Sequence, residues 1–157
     1  MMTVILTKMS QFKETDEVFY PKSIKTNREI AVQMEYKKEG RKYKFVILGI
    51  HARNGHENNE YLTSINGYAD VILGDFNAGN YQESENIQTF NSMLKDHVCI
   101  CNMPTKKILN WNGGLIRKSC IDHIFVKRSF VANCSDMRVH EDIDYLYHYP
   151  ISFKINL

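Results

Sequence analysis

No apolar run in the 157 residues approaches the ~20 needed to cross a bilayer as a helix. No secretory leader, internal repeat or low-complexity tract is visible, and no Pro/Gly/Ser-rich linker divides the chain. One domain spanning residues 1–157 is the expected organisation. Cysteine is sparse. The four present (Cys99, Cys101, Cys120 and Cys134) show no C-x-x-C spacing, which argues against a zinc knuckle. Three of them lie in apolar or strand-like stretches, where a free cysteine behaves as a small hydrophobe. Reduced thiols and no leader together lead to the expectation of a soluble, cytoplasmic protein. An excess of one charge is lacking too. The formal net charge is only +2, so any surface for nucleic acid has to be local.

What is present is ordinary globular composition, 43% apolar and 24% charged, enough to build a substantial core. Basic residues gather in two places: Lys37, Lys38, Arg41, Lys42 and Lys44, then Arg117, Lys118, Lys127 and Arg128. Each is either a solvated face or a phosphate-steering rim. Met2 to Leu6 reads as a short apolar strand, and Lys8 to Asn27 as loop. Glu29 to Tyr36 alternates Ile30, Val32, Met34 and Tyr36, the period of a half-buried strand. A turn around Gly40 leads into the apolar run Tyr43 to His51, completing a hairpin. A weak helix is expected up to Ile65, stopped by Asn66-Gly67. Ala69 to Leu73 is a buried strand. Ser84 can cap a helix running to Lys95, with Ile87, Phe90, Met93 and Leu94 as its buried stripe. His97 to Cys101 is a further strand. A loop holding Trp111-Asn112-Gly113-Gly114 follows, and then strands at Ser119–Val126, Phe130–Val139 and Tyr149–Ile155. Many strands with few helices between them imply a mixed sheet.

The chemistry gathers at strand ends. The run Gly74-Asp75-Phe76-Asn77 closes a buried strand with a carboxylate and a carboxamide two residues apart, on one face at strand geometry. Asp75 there can hold or deprotonate a water, and Asn77 can donate hydrogen bonds to a phosphate oxygen. The competing role for both is an Asx-turn that satisfies only the backbone. Asp122 stands among Ile121, Ile124 and Phe125, and a buried carboxylate needs a partner. His148 precedes the last apolar strand. An Asp–His pair would fix the imidazole tautomer and raise its pKa. His51 ends the run Phe45 to Ile50.

Taken in order, Ile50-His51, Gly74-Asp75-Phe76-Asn77, Ser119-x-Ile121-Asp122-His123-Ile124-Phe125 and His148-Tyr149-Pro150-Ile151 resemble successive motifs of the endonuclease/exonuclease/phosphatase superfamily. This superfamily includes pancreatic-type deoxyribonucleases and abasic-site endonucleases, and the resemblance runs from about Met2 to the C-terminus. It implies an α/β two-sheet sandwich flanked by helices. It also implies that Asp75 orients the attacking water and contacts the metal, and that Asn77 binds the scissile phosphate. Asp122 would pair with His148, which meets the phosphate or leaving group, and His51 would be a second catalytic histidine. Arg28 resembles the family's arginine near the phosphate path. Trp111 falls where an aromatic often meets substrate, with a loop anchor on the core as its alternative role.

Two departures stand against these matches. The family's N-terminal segment, with a metal-side Asn and a metal-binding Glu, has no counterpart in the sequence, so an incomplete first sheet is expected. The family's Ser-Asp-His reads Leu146-Tyr147-His148, which replaces a metal-side acid with Tyr147 and strips charge from a hard-cation site. The expected activity is metal-dependent phosphodiester hydrolysis of DNA or RNA, with weakly held Mg²⁺ or Mn²⁺ and with Asp142, Asp144 or a second subunit as the candidates to complete the metal site beside Asp75. The alternatives are an inactive phosphate-recognising binder or inhibitor, and a phosphatase of small phosphoesters. A shortened sheet would also need a covering surface, from a second copy or another protein.

Overall fold

The computed structural model describes residues 12–14, 29–52, 57–78, 90, 92, 94–143 and 147–156. The strand expected at Met2–Leu6, the Ser84 cap, Arg28 and Asp144 lie outside these. The elements run β1 Phe12–Glu14, β2 Glu29–Lys38, β3 Arg41–His51, α1 Glu57–Ser64, β4 Val71–Asp75, β5 His97–Cys99, β6 Lys106–Leu109, β7 Leu115–Ser119, β8 Asp122–Lys127, a 3-10 turn Arg128–Asn133, β9 Cys134–Val139 and β10 Ile151–Ile155. A six-stranded sheet has the order β1-β2-β3-β4-β8-β5, and β10-β9 and β6-β7 form two-stranded sheets.

The β2–β3 hairpin forms because Glu39 and Gly40 both take positive φ, 51° and 77°, the two-residue turn that matches strand twist. β3 pairs parallel with β4, and β4 antiparallel with β8, so the sheet is mixed as expected.

Period-two alternation sorts the side chains of this sheet onto two faces. Leu48 and Ile50 of β3, Ile72 of β4 and Phe125 of β8 join Tyr61, Leu62 and Ile65 from the α1 region, with Phe90 and Leu94, in one core. Phe45, Val71, Ile124 and Val126 face the other way, against Met137, Val139, Ile151 and Phe153 of β9 and β10. Each face is thus covered, by helix on one side and by the second layer on the other. That second layer reaches further than β9 and β10. His148 bridges antiparallel to Lys106, so the β6–β7 hairpin continues it.

Several expectations are corrected. Part of Lys8–Asn27 is strand, because Phe12–Glu14 pairs with Val32–Met34 of β2. The Trp111 loop is the turn of the β6–β7 hairpin. The strand expected at Ser119–Val126 breaks at Cys120-Ile121, where the chain crosses from the second layer into the six-stranded sheet. The stretch from Phe130 to Asn133 winds as 3-10 helix before β9 begins, so its apolar residues reach the core without sheet pairing.

Candidate active site

Three neighbouring strands carry the first part of the site. His51 pairs with Asp75 across β3 and β4, and Asp75 pairs with Asp122 across β4 and β8. Residues directly opposite share a face, and the parity that sends Val71 and Ile124 toward the second layer sends Asp75 and Asp122 the same way. His51 Nε2 lies 3.8 Å from Asp75 Oδ2.

Gly74 makes this register possible. Its φ is 134°, and a Cβ there would stand 2.0 Å from the Ile50 carbonyl oxygen. Phe76, the next residue but one, is fully buried, with ring centroids 5.2 Å from Phe125 and 5.4 Å from His123. The motif is pinned by its own aromatic.

Beyond Phe76 the chain turns sharply, with Asn77 at φ 47°. The Asx-turn anticipated as a competing role is present: Asn77 N–H donates to Asp75 Oδ1 at 2.7 Å. It occupies one carboxylate oxygen and leaves Oδ2 toward His51. Asn77 Nδ2 donates to the Ala52 carbonyl at 2.7 Å, which uses one of the two amide N–H groups. His123 sits behind this turn as a core residue, its Nε2 3.0 Å from the Ala78 carbonyl and its Nδ1 3.2 Å from that of Cys101. Burial lowers its pKa, and the ring fastens the turn to β8.

His148 arrives from the second layer. Its Nδ1 lies 2.9 and 3.1 Å from the two oxygens of Asp122, close enough for the ring N–H to donate to the carboxylate. Thr105 holds both partners, a role for which the sequence offered no signal. Its buried Oγ1 accepts from the backbone N–H of Ile121 at 3.3 Å and of Asp122 at 3.1 Å. Its carbonyl accepts from Tyr149 N–H at 2.7 Å. One threonine therefore ties the start of β8 to the segment that delivers His148.

The electrostatics follow from burial and proximity. Burial pushes the Asp75 carboxyl above its usual 3.8, and the Asp122 charge adds to this, while the Asn77 N–H and the two histidines oppose it. The hydrogen bond to Asp122 raises His148 above 6.5 despite partial burial. Asp75, Asp122 and His148 each offer a ligand atom, all within 4.8 Å of one another. Its two carboxylates suit a hard divalent cation, since one or two carboxylates completed by a substrate phosphate commonly hold Mg²⁺, while His148, with its Nδ1 against Asp122, is the hydrogen-bonding member.

Of the other candidates, Trp111 is at the hairpin tip and 96% exposed, which overturns its role as a core anchor. It stands about 16 Å from the Lys106–His148 row at strand rise. Tyr147 is exposed, and so is Asp142, which is outside the acidic–histidine group. The basic cluster around Arg41 is about 33 Å from the His51 end of β3 by the same rise, too far to steer phosphate into this site. Lys127, on Asp70 at 2.9 Å, is also at the opposite end of its strand. No helix among the described residues is long and apolar enough to cross a membrane.

No protein-family model and no curated protein matches the sequence. Solved structures do match the fold. The chain has the endonuclease/exonuclease/phosphatase fold. The endonuclease domain of TRAS1, a telomere-specific non-LTR retrotransposon, is similar with a TM-score of 0.66 at 16% identity, over 96% of this chain and 71% of its own. The 3′ phosphatase NExo from Neisseria, solved with a product DNA hairpin, gives 0.58 at 16% identity, over 92% and 72%. A conserved protein of unknown function from Enterococcus faecalis gives 0.51 at 16% identity, over 81% and 56%.

Proposed function

We propose that this chain hydrolyses phosphodiester bonds in DNA or RNA. The observation that carries this reading is the convergence of Asp75, Asp122 and His148 within 4.8 Å at the joint between the two layers. Asp75 orients a water and takes its proton as the water oxygen bonds to phosphorus. As the ester P–O bond breaks, His148, held charged by Asp122, hydrogen-bonds the phosphate and gives its proton to the departing oxygen. Asn77 directs its second amide N–H at a phosphate oxygen, and His51 steadies Asp75. A divalent cation held by Asp75, with Asp122 beside it, would supply Lewis-acid charge at the phosphate. The exposed Trp111 fits a substrate base, because stacking on an aromatic tolerates any sequence.

A second reading is an inactive phosphate-recognising protein, favoured by Tyr147, which is exposed and provides no carboxylate beside His148. Incubation with plasmid DNA and single-stranded RNA, with Mg²⁺ or Mn²⁺ against EDTA, separates the two. Cleavage abolished by EDTA supports the hydrolase. Binding without cleavage supports the alternative.

A further inference from the structure

Lys106 occupies a place that no role described so far uses. It is the central member of a three-strand row, paired with Ser119 of β7 on one side and bridged to His148 on the other. Directly opposed residues in antiparallel pairs project from the same face, with Cβ atoms ~5 Å apart. The Lys106 side chain therefore leaves the strand on the face from which His148 reaches Asp122. Its immediate neighbour Thr105 is the residue that holds Asp122 and the His148 segment together. Lys107 points to the other face, with its ammonium 5.3 Å from the centre of the Tyr149 ring.

The other paired lysines are spoken for. Lys118 pairs with Glu141, Lys127 with Asp70 and Lys154 with Asp136. Among the described residues no carboxylate pairs with Lys106, which is half-buried. The site that this face looks onto holds two carboxylates, Asp75 and Asp122, and a cation beside them offsets part of the repulsion that an incoming phosphate would meet.

We infer that Lys106 is a phosphate-binding residue of this site, donating from its ammonium to a non-bridging oxygen of the phosphodiester that also meets His148. The inference deepens the hydrolase reading and rests on the same site, but its test does not need turnover.

The probe is a thymidine dinucleotide, a single phosphodiester, titrated in EDTA and followed by its phosphorus resonance and by the His148 ring. Wild type is expected to bind saturably. Lys106→Gln should weaken binding roughly tenfold, the size of one charge-assisted hydrogen bond in a half-exposed setting. Lys106→Arg should retain most of the affinity, and Lys107→Gln, on the opposite face, should bind as wild type. Weaker binding by Lys106→Gln alone would support the inference even if no variant cleaves, an outcome that would sink the hydrolase reading by itself. Equal losses for Lys106→Gln and Lys107→Gln would overturn it in favour of diffuse attraction. So would unchanged binding by Lys106→Gln, or no binding by wild type. Lys106→Arg guards against a folding defect, since only a loss that arginine repairs reports the charge.

Discussion

Replacing Asp122 with Asn keeps the shape of the side chain and removes its charge from a carboxylate whose two oxygens lie 2.9 and 3.1 Å from His148 Nδ1. Both side chains are largely shielded, 13% and 20% exposed, so the bond is screened less than a surface pair. A charge-assisted hydrogen bond in such a setting contributes about 1.5–3 kcal/mol, which corresponds to roughly 10- to 150-fold in the ratio of charged to neutral imidazole or in rate. The sign with pH is fixed by direction. His148 is raised above 6.5 in the folded chain, so its contribution to stability is fully present below 6.5 and lost as pH rises through the folded value. Asp122→Asn should therefore cost most stability below pH 6.5, and the gap to wild type should narrow above the folded pKa. For activity, Asp75 must ionise and His148 must stay protonated. The profile should be bell-shaped, with its acid limb above 3.8 and its basic limb above 6.5. The variant should move the basic limb down. Nuclear magnetic resonance titration of the His148 ring, beside urea melts across pH, provides the assay. A His148 titration unchanged in Asp122→Asn would refute the reasoning.

Gly74→Ala should destabilise the fold by more than ~3 kcal/mol, because the new Cβ would strike the Ile50 carbonyl at 2.0 Å; a denaturant midpoint equal to wild type would contradict this. Tyr147→Asp should tighten Mg²⁺ or Mn²⁺ binding roughly tenfold by restoring a carboxylate beside His148, and calorimetry with no change would show that this position does not face the cation. Leu115 and Ile116 leave one hairpin with apolar side chains 55% and 62% exposed, so sedimentation should show a dimer or a larger assembly. A monomer at high concentration would count against a covering partner.

The parts of the fold legible in the sequence are those whose signal is local. Phe45 to Ile50 and Val71 to Leu73 read as strands because they are continuous apolar runs, and both lie in the buried middle of the sheet, although the second strand begins at Val71 rather than Ala69 and runs on through Gly74 to Asp75. The Asp122–His148 pair could be anticipated because a carboxylate among Ile and Phe demands a partner, and the motif order supplied one. The β6–β7 hairpin was not legible. Lys106 to Leu109 and Leu115 to Ser119 show no burial alternation, since pairing and the Asn110–Gly114 turn define them. Phe12–Glu14 is strand only because β2 offers an edge. Thr105 and Lys106 gain their roles from pairing with residues up to 44 positions away, and no window along the chain contains that information. The basic cluster at Arg41 misled for the same reason: its distance from the site is set by the strand between them.

Cleavage of a plasmid and of single-stranded RNA by wild type and Asp75→Ala, purified identically and assayed with Mn²⁺, tests the proposed chemistry most directly. Asp75 pairs with both His51 and Asp122 in register and belongs to the only acidic–histidine group among the described residues. Wild type is expected to cut slowly and in proportion to enzyme, and Asp75→Ala to lose cutting while keeping its fold. Equal cutting by the two proteins would place the chemistry elsewhere, and no cutting by wild type under any divalent cation would leave this cleft a binding site rather than a catalytic one.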